Sequence, residues 1–448
     1  MTTMYVDIAP VRIQQYLART PRLRDRRGAS AALEAATAET SLDEVLAGRA
    51  RANPEAGDAD GVVNLIVDDP THTDAVIGDV LAHLRNRLPA AQFQATSAHA
   101  PDYVQAITAM RLQRESGEAR TDHPTVAEFP FAAPCRLCRA APAVDRVRLG
   151  PGDERAACAD CTMRQSREVR REGTGAERTL SVALGLDTTP DDFAALAALG
   201  GTDTDRNHLA TVYADGNGIG DFFARLADTA GKTRKAASKA LSDHTRAALA
   251  HATRAVSRPD DEMLCVVPHV VGGDDILVSL PADRGWRFTR AFLADLCERL
   301  ERTAADLDIP PPTVSAGIVF AHNSHPFHLV VEEAAAGLKR AKREVAGKAA
   351  SVQAHDVTVD GVAGPRMPGL RLDTLQDAAA DLDRLRAVPQ SGRSQLAQAL
   401  ADGDGEVRAL TLAKRLDRED VVKPFLATDS TASAINLGHA LRIVRWWR

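Results

Sequence analysis

Aromatic side chains are scarce in this chain: phenylalanine, tyrosine and tryptophan fill only 4% of 448 positions. With 44% hydrophobic residues overall, the core must be mostly aliphatic. No apolar run approaches the roughly 20 residues of a membrane-crossing helix, so no membrane partner is expected. The first residues, Met1-Thr2-Thr3-Met4-Tyr5-Val6-Asp7, lack the charged-then-apolar layout of a secretory signal, and a cytoplasmic location is expected. Basic excess is missing too: 55 Lys and Arg face 61 Asp and Glu, a net charge of -6. Bulk charge therefore cannot drive nucleic-acid binding, and RNA contacts need local basic patches or neighbouring subunits. Only six cysteines occur. Four form two Cys-x-x-Cys pairs, a spacing that favours metal ligation over disulfides in a reducing compartment.

A chain of 448 residues exceeds one ordinary core and predicts two to four domains. Residues 4–9 read as a strand and Val11–Leu17 as a helix. A basic loop, Arg19–Arg27, precedes a helix that starts at Ser30, with Gly28-Ala29-Ser30 as its cap. Val62–Val67 and Gln92–Thr96 read as strands, and 73–88 and 101–114 as helices. The stretch 115–131 is polar and irregular, and Leu180–Leu199 reads as a short strand plus a helix. A second unit is clearer. It runs from strand His208–Ala214 through a long helical region, 219–256, to strand Met263–Val271 and a tight turn. Strand Asp275–Leu280, helix Trp286–Leu307, strand Thr313–Phe320, helix His328–Val345 and an edge strand at Val352–Val362 follow. This β-α-β-β-α-β order is ferredoxin-like. Residues 363–369 form a linker by composition, and the remainder reads as helical. The expected class is α+β, with units at 1–115, 116–206, 207–362 and 363–448: two ferredoxin-like domains, a Cys₄ zinc-binding insertion with a helical connector, and an α-helical C-terminal domain.

The chemistry concentrates in the second unit. Asp215 ends an apolar strand, and Gly216-Asn217-Gly218 follows, where glycines let backbone approach a phosphate. Gly272-Gly273-Asp274-Asp275 places two carboxylates in a turn between apolar strands. In a ferredoxin-like sheet these strands are neighbours, so Asp215, Asp274 and Asp275 should converge and hold magnesium or manganese. Two such ions activate a 3′-hydroxyl and stabilise departing pyrophosphate, the chemistry of nucleotide cyclases and polymerases. Gly and Asp also dominate ordinary turns, so the hairpin gains meaning only beside Asp215. Lys339 and Lys342, on the last helix of the unit, are candidates to meet a triphosphate, although a solvated basic face explains such runs as well. Lys232, Lys235 and Lys239 read as solvated. Ala230-Gly231-Lys232-Thr233 resembles the end of a P-loop, but Leu226 stands where its leading glycine belongs. Cys135, Cys138, Cys158 and Cys161 have the spacing of a closed, structural zinc site. Cys265 and Cys297 fit apolar patterns and read as core.

These motifs in combination resemble the cyclase palm of the large subunit of type III CRISPR effector complexes. They are Tyr213-Ala214-Asp215-Gly216-Asn217-Gly218-Ile219-Gly220, Gly272-Gly273-Asp274-Asp275, Ser315-Ala316-Gly317-Ile318 and Leu338-Lys339-Arg340-Ala341-Lys342. Val6 to Leu17, with Leu23-Arg24-Asp25 and Gly28-Ala29-Ser30, is similar to that family's first palm. The resemblance covers nearly the whole chain. It implies ATP as substrate, cyclic oligoadenylate as product, and activation by target RNA bound to a guide-RNA complex with other effector subunits. It implies that Asp215 and Asp274 hold metal, with Asp275 a ligand or its support. Asp60-Gly61-Val62-Val63-Asn64-Leu65 stands where the first palm would carry a second acidic hairpin, and it lacks the Gly-Gly-Asp-Asp sequence. Many members begin with an HD nuclease domain. Here the first palm starts near residue 4 and the only His-Asp pair is His355-Asp356, so an HD-less form without DNA cleavage is expected. A stand-alone GGDEF-like cyclic nucleotide synthase and a non-catalytic ribonucleoprotein scaffold are the alternatives.

Overall fold

The computed structural model describes residues 2–56, 61–124, 131–165, 175–186, 188–201, 206–226, 231–361, 364, 366–401, 404–426 and 435–448. The first unit is built on β1 (Thr3–Val11), with α1 (Ile13–Leu17), α2 (Leu23–Thr37), α3 (Glu39–Leu46), β2 (Ala50–Ala52), β3 (Val63–Val67), α4 (Thr73–Arg87), β4 (Gln92–Ala100), α5 (Tyr103–Ser116) and β5 (Arg120–Asp122). The sheet order β2-β3-β1-β4-β5 is the ferredoxin-like order with one strand added at an edge. Alternation along β1 splits its side chains: Val6 and Ile8 pack beneath α2 and α4, while Tyr5 packs with Tyr103 and Met110 of α5.

Gly28 does not cap a helix at Ser30. Helix α2 already begins at Leu23 and runs through Gly28. The reason is tertiary: a Cβ at residue 28 would lie 2.2 Å from the Arg164 carbonyl oxygen. That carbonyl belongs to α6 (Ala159–Arg164), which follows a two-stranded ribbon of β6 (Asp145–Gly150) and β7 (Asp153–Ala157). Arg164 is fully buried; it donates to Asp160 at 2.8 Å and to the Tyr16 carbonyl at 2.9 Å, and stacks over the Tyr16 ring. The cysteine ribbon is thereby fastened to the first unit.

Two helices, α7 (Gly175–Leu184) and α8 (Phe193–Ala198), occupy 175–198, with no strand among the described residues there. The second unit follows: β8 (His208–Asn217), α9 (Ile219–Leu226), α10 (Gly231–Val256), β9 (Val267–Val271), β10 (Ile276–Pro281), α11 (Gly285–Asp306), β11 (Thr313–His322), α12 (Phe327–Glu344) and β12 (Ser351–Asp356). The expected helix at 219–256 is two helices, with 227–230 outside the described residues. Strand β9 starts at Val267 rather than Met263, because Leu264, Cys265 and Val266 enter the core ahead of the ladder.

The sheet order is β13-β12-β11-β8-β10-β9, where β13 is Leu370–Arg371. Its β11-β8-β10-β9 part is again ferredoxin-like. Strand β12 is not an edge: it pairs in parallel with β11 on one side and with β13 on the other. It ends at Asp356, whose side chain caps the short helix α13 (Val357–Asp360) by accepting from the Thr358 and Val359 amides. One face of the sheet, with Val212, Ala214, Ile276, Val278, Ala316 and Ile318, packs with Leu249 of α10 and Phe288 and Phe292 of α11. Helix α12 covers the other face. It lies directly on backbone, since a Cβ on Gly317 would sit 2.1 Å from the Ala334 oxygen.

The described part of 363–369 is anchored rather than free, for Met367 is buried and Arg366 pairs with Glu333 at 2.7 Å. Beyond it lie helices α14 (Leu372–Asp377), α15 (Ala379–Ala387), α16 (Gln390–Leu400), α17 (Gly405–Arg415), α18 (Glu419–Val422) and α19 (Leu437–Ile443). Trp446 stacks on Phe320 and donates to Asp356 at 2.7 Å; Trp447 donates to Asp383 at 3.0 Å. Among the described residues, no helix is long and apolar enough to cross a membrane.

Candidate active site and metal centre

Strand geometry brings the acidic residues together. Ala214 pairs with Ile276, so the next residue back along β10, Asp275, lies alongside the next residue on along β8, Asp215. The turn is closed by the Gly272 amide donating to the Asp275 carbonyl at 2.8 Å. It is tied to α10 by the Thr245 hydroxyl, which donates to the Gly273 carbonyl at 2.8 Å. Two glycines make room for the carboxylates themselves. A Cβ on Gly216 would stand 2.9 Å from Asp274 Oδ2, and one on Gly272 would stand 2.0 Å from Asp275 Oδ1.

Crowding of like charge in a half-buried turn shows in the titration of the acids. Burial, then repulsion from Asp215, pushes the Asp274 carboxyl up to about 6 against the pull of Lys342. Burial, then Asp274 and Asp215, pushes Asp275 up to about 7, although the Tyr213 hydroxyl hydrogen-bonds it. Such a group of carboxylates is costly when ionised and alone, and a divalent cation relieves that cost; the donor set suits a hard ion such as magnesium or manganese. Here Lys342, from the last turn of α12, ion-pairs with Asp215 and donates to the Gly216 carbonyl at 2.7 Å.

The other residues singled out in the sequence fall differently. Gly218 is exposed with φ +70, a conformation that suits glycine. Gly273 lies in the turn. Lys339 is exposed on α12, with no ion pair among the described residues. Asn217 points inward, 3% exposed, and its amide donates to Thr313 and Ser315, both at 2.9 Å, so its side chain is held inside the sheet. Lys239 is exposed and pairs with Asp243, while the side chains of Lys232 and Lys235 lie outside the described residues. His355 and Asp356 are structural: His355 is buried and within 3.0 Å of the Gly361 carbonyl, and Asp356 holds α13 and Trp446. Thr245 escaped the sequence reading, and Tyr213 and Ser315 entered it only as members of the palm motifs, without a role of their own. The signal that could have marked Ser315 is a polar residue inside an apolar strand.

A cavity of about 380 Å³ opens across from α10, lined by Glu34, Leu42, Asn53, Val63 and Asn64 of the first unit and by Arg246, the neighbour of Thr245. Asn53 is buried there and its amide nitrogen has no hydrogen-bond partner among the described residues. Asp60 lies outside the described residues.

Among the described residues, only the four cysteines bring three or more metal-capable atoms within 4.8 Å of one another. Cys138 and Cys158 Sγ are 3.7 Å apart. Zinc-to-sulfur bonds of about 2.3 Å in a tetrahedron put the sulfurs about 3.8 Å apart, so the thiols fit that ion. The Leu137 amide points at Cys135 Sγ at 3.4 Å. Cys158 caps α6 and Cys161 lies within it, so the helix clasped by the first unit also presents half the ligand set.

Residues 208–351 match the family model described as Cas10/Cmr2, second palm domain. No curated protein sequence matches the chain. Among solved structures, a Csm1-Csm4 cassette in complex with cA4 is similar with TM-score 0.60 and 13% identity, over 99% of this chain and 70% of the other. The apo Csm1-Csm4 cassette gives TM-score 0.59 and 15% identity over the same shares. The cassette in complex with one ATP gives 0.60 and 13%, over 100% of this chain and 70% of the other. At such identity the likeness is one of fold, and it extends through both sheets, the ribbon and the terminal helices.

Proposed function

We propose, from the premise that residues 208–351 are a Cas10/Cmr2 second palm domain, that this chain is the cyclase subunit of a cytoplasmic, RNA-guided type III CRISPR antiviral complex, converting ATP to cyclic oligoadenylate. One observation carries the reading: Asp215, Asp274 and Asp275 lie together at neighbouring strand ends, with raised proton affinity at Asp274 and Asp275 and with Lys342 paired to Asp215. Similar folds complexed with ATP and with cA4 support the choice of nucleotide. The similar Csm1-Csm4 pairs support partner subunits, with guide and target RNA completing the assembly.

Asp215, Asp274 and Asp275 would hold two magnesium or manganese ions. Bound there, the ions supply Lewis-acid activation of a 3′-hydroxyl and neutralise charge on leaving pyrophosphate. The chain's own groups do the positioning. Gly216 and Gly272 keep the carboxylates close to the strand ends, and the Thr245 bond fixes the turn that carries two of them. Lys342 can exchange Asp215 for a phosphate oxygen, placing positive charge where the triphosphate develops negative charge. The cavity lined by Arg246 and the first unit is large enough for one nucleotide, the second one that attack by one ATP on another requires. Cys135, Cys138, Cys158 and Cys161 would hold one structural zinc.

The test is synthesis by the effector complex, assembled with guide and target RNA and given each nucleoside triphosphate with magnesium or manganese. Mass spectrometry should find cyclic oligoadenylate from ATP, and none when Asp274 and Asp275 are both replaced by alanine. Cyclic products from GTP without RNA would establish the GGDEF-like alternative. Absence of product under every condition would leave a scaffold.

A further inference from the structure

Three polar side chains cross the interior of the second sheet in an unbroken line. Asn217 is 3% exposed, and Ser315 and Ser351 are fully buried. Ser315 stands opposite Asp215 across β8 and β11, and Ser351 stands opposite Ser315 across β11 and β12. The Asn217 amide reaches Ser315 Oγ at 2.9 Å, the two serine hydroxyls are 2.8 Å apart, and Ser351 Oγ reaches the Ala341 carbonyl at 3.0 Å. A carbonyl only accepts, so Ser351 donates to Ala341, Ser315 donates to Ser351, and Ser315 accepts from Asn217. The same amide nitrogen also touches Thr313 at 2.9 Å and the Ala349 carbonyl at 3.2 Å, while Asn217 Oδ1 has no partner among the described residues.

Placing hydroxyls and an amide in a dry sheet costs free energy unless each donor is satisfied, and alanine or valine would fill the same space without that cost. The line ends at a specific place. Ala341 immediately precedes Lys342, and Ala349 lies in the loop that returns from α12 to β12. One end of the segment that carries Lys342 is therefore pinned to β12 by Ser351, and the other to β8, the strand of Asp215, by Asn217.

We propose that Asn217, Ser315 and Ser351 are positioning residues: they fix the last turn of α12 so that Lys342 meets Asp215 in the free protein and can reach a triphosphate when nucleotide is bound. The proposal rests on the nucleotide-site reading above. It assigns to Asn217 a role inside the sheet in place of direct contact with the ligand.

The experiment uses the full chain, Ser351→Ala, and Ser351→Thr as the conservative rescue. Two affinities are measured: manganese alone, by electron paramagnetic resonance titration, and AMPPNP with manganese, by calorimetry. Loss of one buried hydrogen bond is worth roughly a fivefold change, so Ser351→Ala should bind AMPPNP about fivefold more weakly. Its affinity for manganese alone should be unchanged or higher, because a loosened Lys342 competes less for Asp215. Ser351→Thr should restore nucleotide affinity. Parallel weakening of both affinities signals general destabilisation and overturns the proposal, as does unchanged AMPPNP binding in Ser351→Ala. Wild-type chain that binds manganese but no AMPPNP overturns the nucleotide-site reading, and the proposal with it.

Discussion

Asp275→Asn should make the metal-free protein more stable while removing its response to metal. The Asp275 carboxyl titrates near 7 in the folded chain instead of near 3.8, first because it is buried and then because Asp274 and Asp215 repel its charge. At about 1.4 kcal/mol per tenfold change in proton affinity, that difference is a cost of up to about 4 kcal/mol once the group is ionised. The sign follows from proton counting. Below about pH 4 both folded and unfolded chains hold the proton and no penalty exists. Between about 4 and 7 the folded state binds more protons than the unfolded state, so stability falls as pH rises, and above 7 the penalty is complete. Asparagine keeps the shape and removes the charge. The variant should therefore match wild type near pH 3.5 and exceed it near pH 8 by about 2–4 kcal/mol, or about 5–10 °C in melting temperature. Scanning fluorimetry at several pH values, in buffer free of magnesium and manganese, measures this directly. Adding manganese should then raise the melting temperature of wild type far more than that of the variant. A gain that is independent of pH, or a loss at pH 8, would refute the argument that these carboxylates are held together at a cost.

Two further outcomes concern the ribbon and its clasp. Wild-type protein should carry about one zinc per chain by elemental analysis, and Cys138→Ser should lose it; hydrogen exchange should then quicken in α6 and in the α2 segment packed on it. Gly28→Ala should lower stability by about 1–3 kcal/mol in chemical denaturation, because its methyl group meets the rigid Arg164 backbone instead of a movable side chain.

The acidic site was legible because its signals are local: an apolar strand ending at Asp215, and a Gly-Gly-Asp-Asp turn between strands whose alternation is plain. The ferredoxin-like order of the second unit could be read for the same reason. What escaped depends on contacts between segments distant in sequence. Gly28 reads as a helix boundary by propensity, yet the helix passes through it because Arg164, 136 positions later, needs the space. Asn217 reads as a ligand because it sits among glycines after a catalytic-looking aspartate. Its inward direction follows from the register that places it against Thr313. Residues 363–369 read as a free linker from their glycine and proline content. The pair between Arg366 and Glu333 belongs to a helix some thirty residues earlier and leaves no trace in local composition. Edge and interior strands are indistinguishable in sequence when a two-residue strand, β13, is all that covers the edge.

The seating of α12 on bare backbone at Gly317 has a bearing on tempo. With the Ala334 oxygen and Leu338 nitrogen so near that strand, and Gly337 closing on the Gln353 side chain, the helix has no slack in which to slide or roll. Transfer of the lysine ammonium from one anion to another is then left to rotation about its own aliphatic bonds, motion of picoseconds to nanoseconds. Under the proposed activity, slow phases in turnover would have to originate elsewhere, in larger movements around the nucleotide or in the release of product.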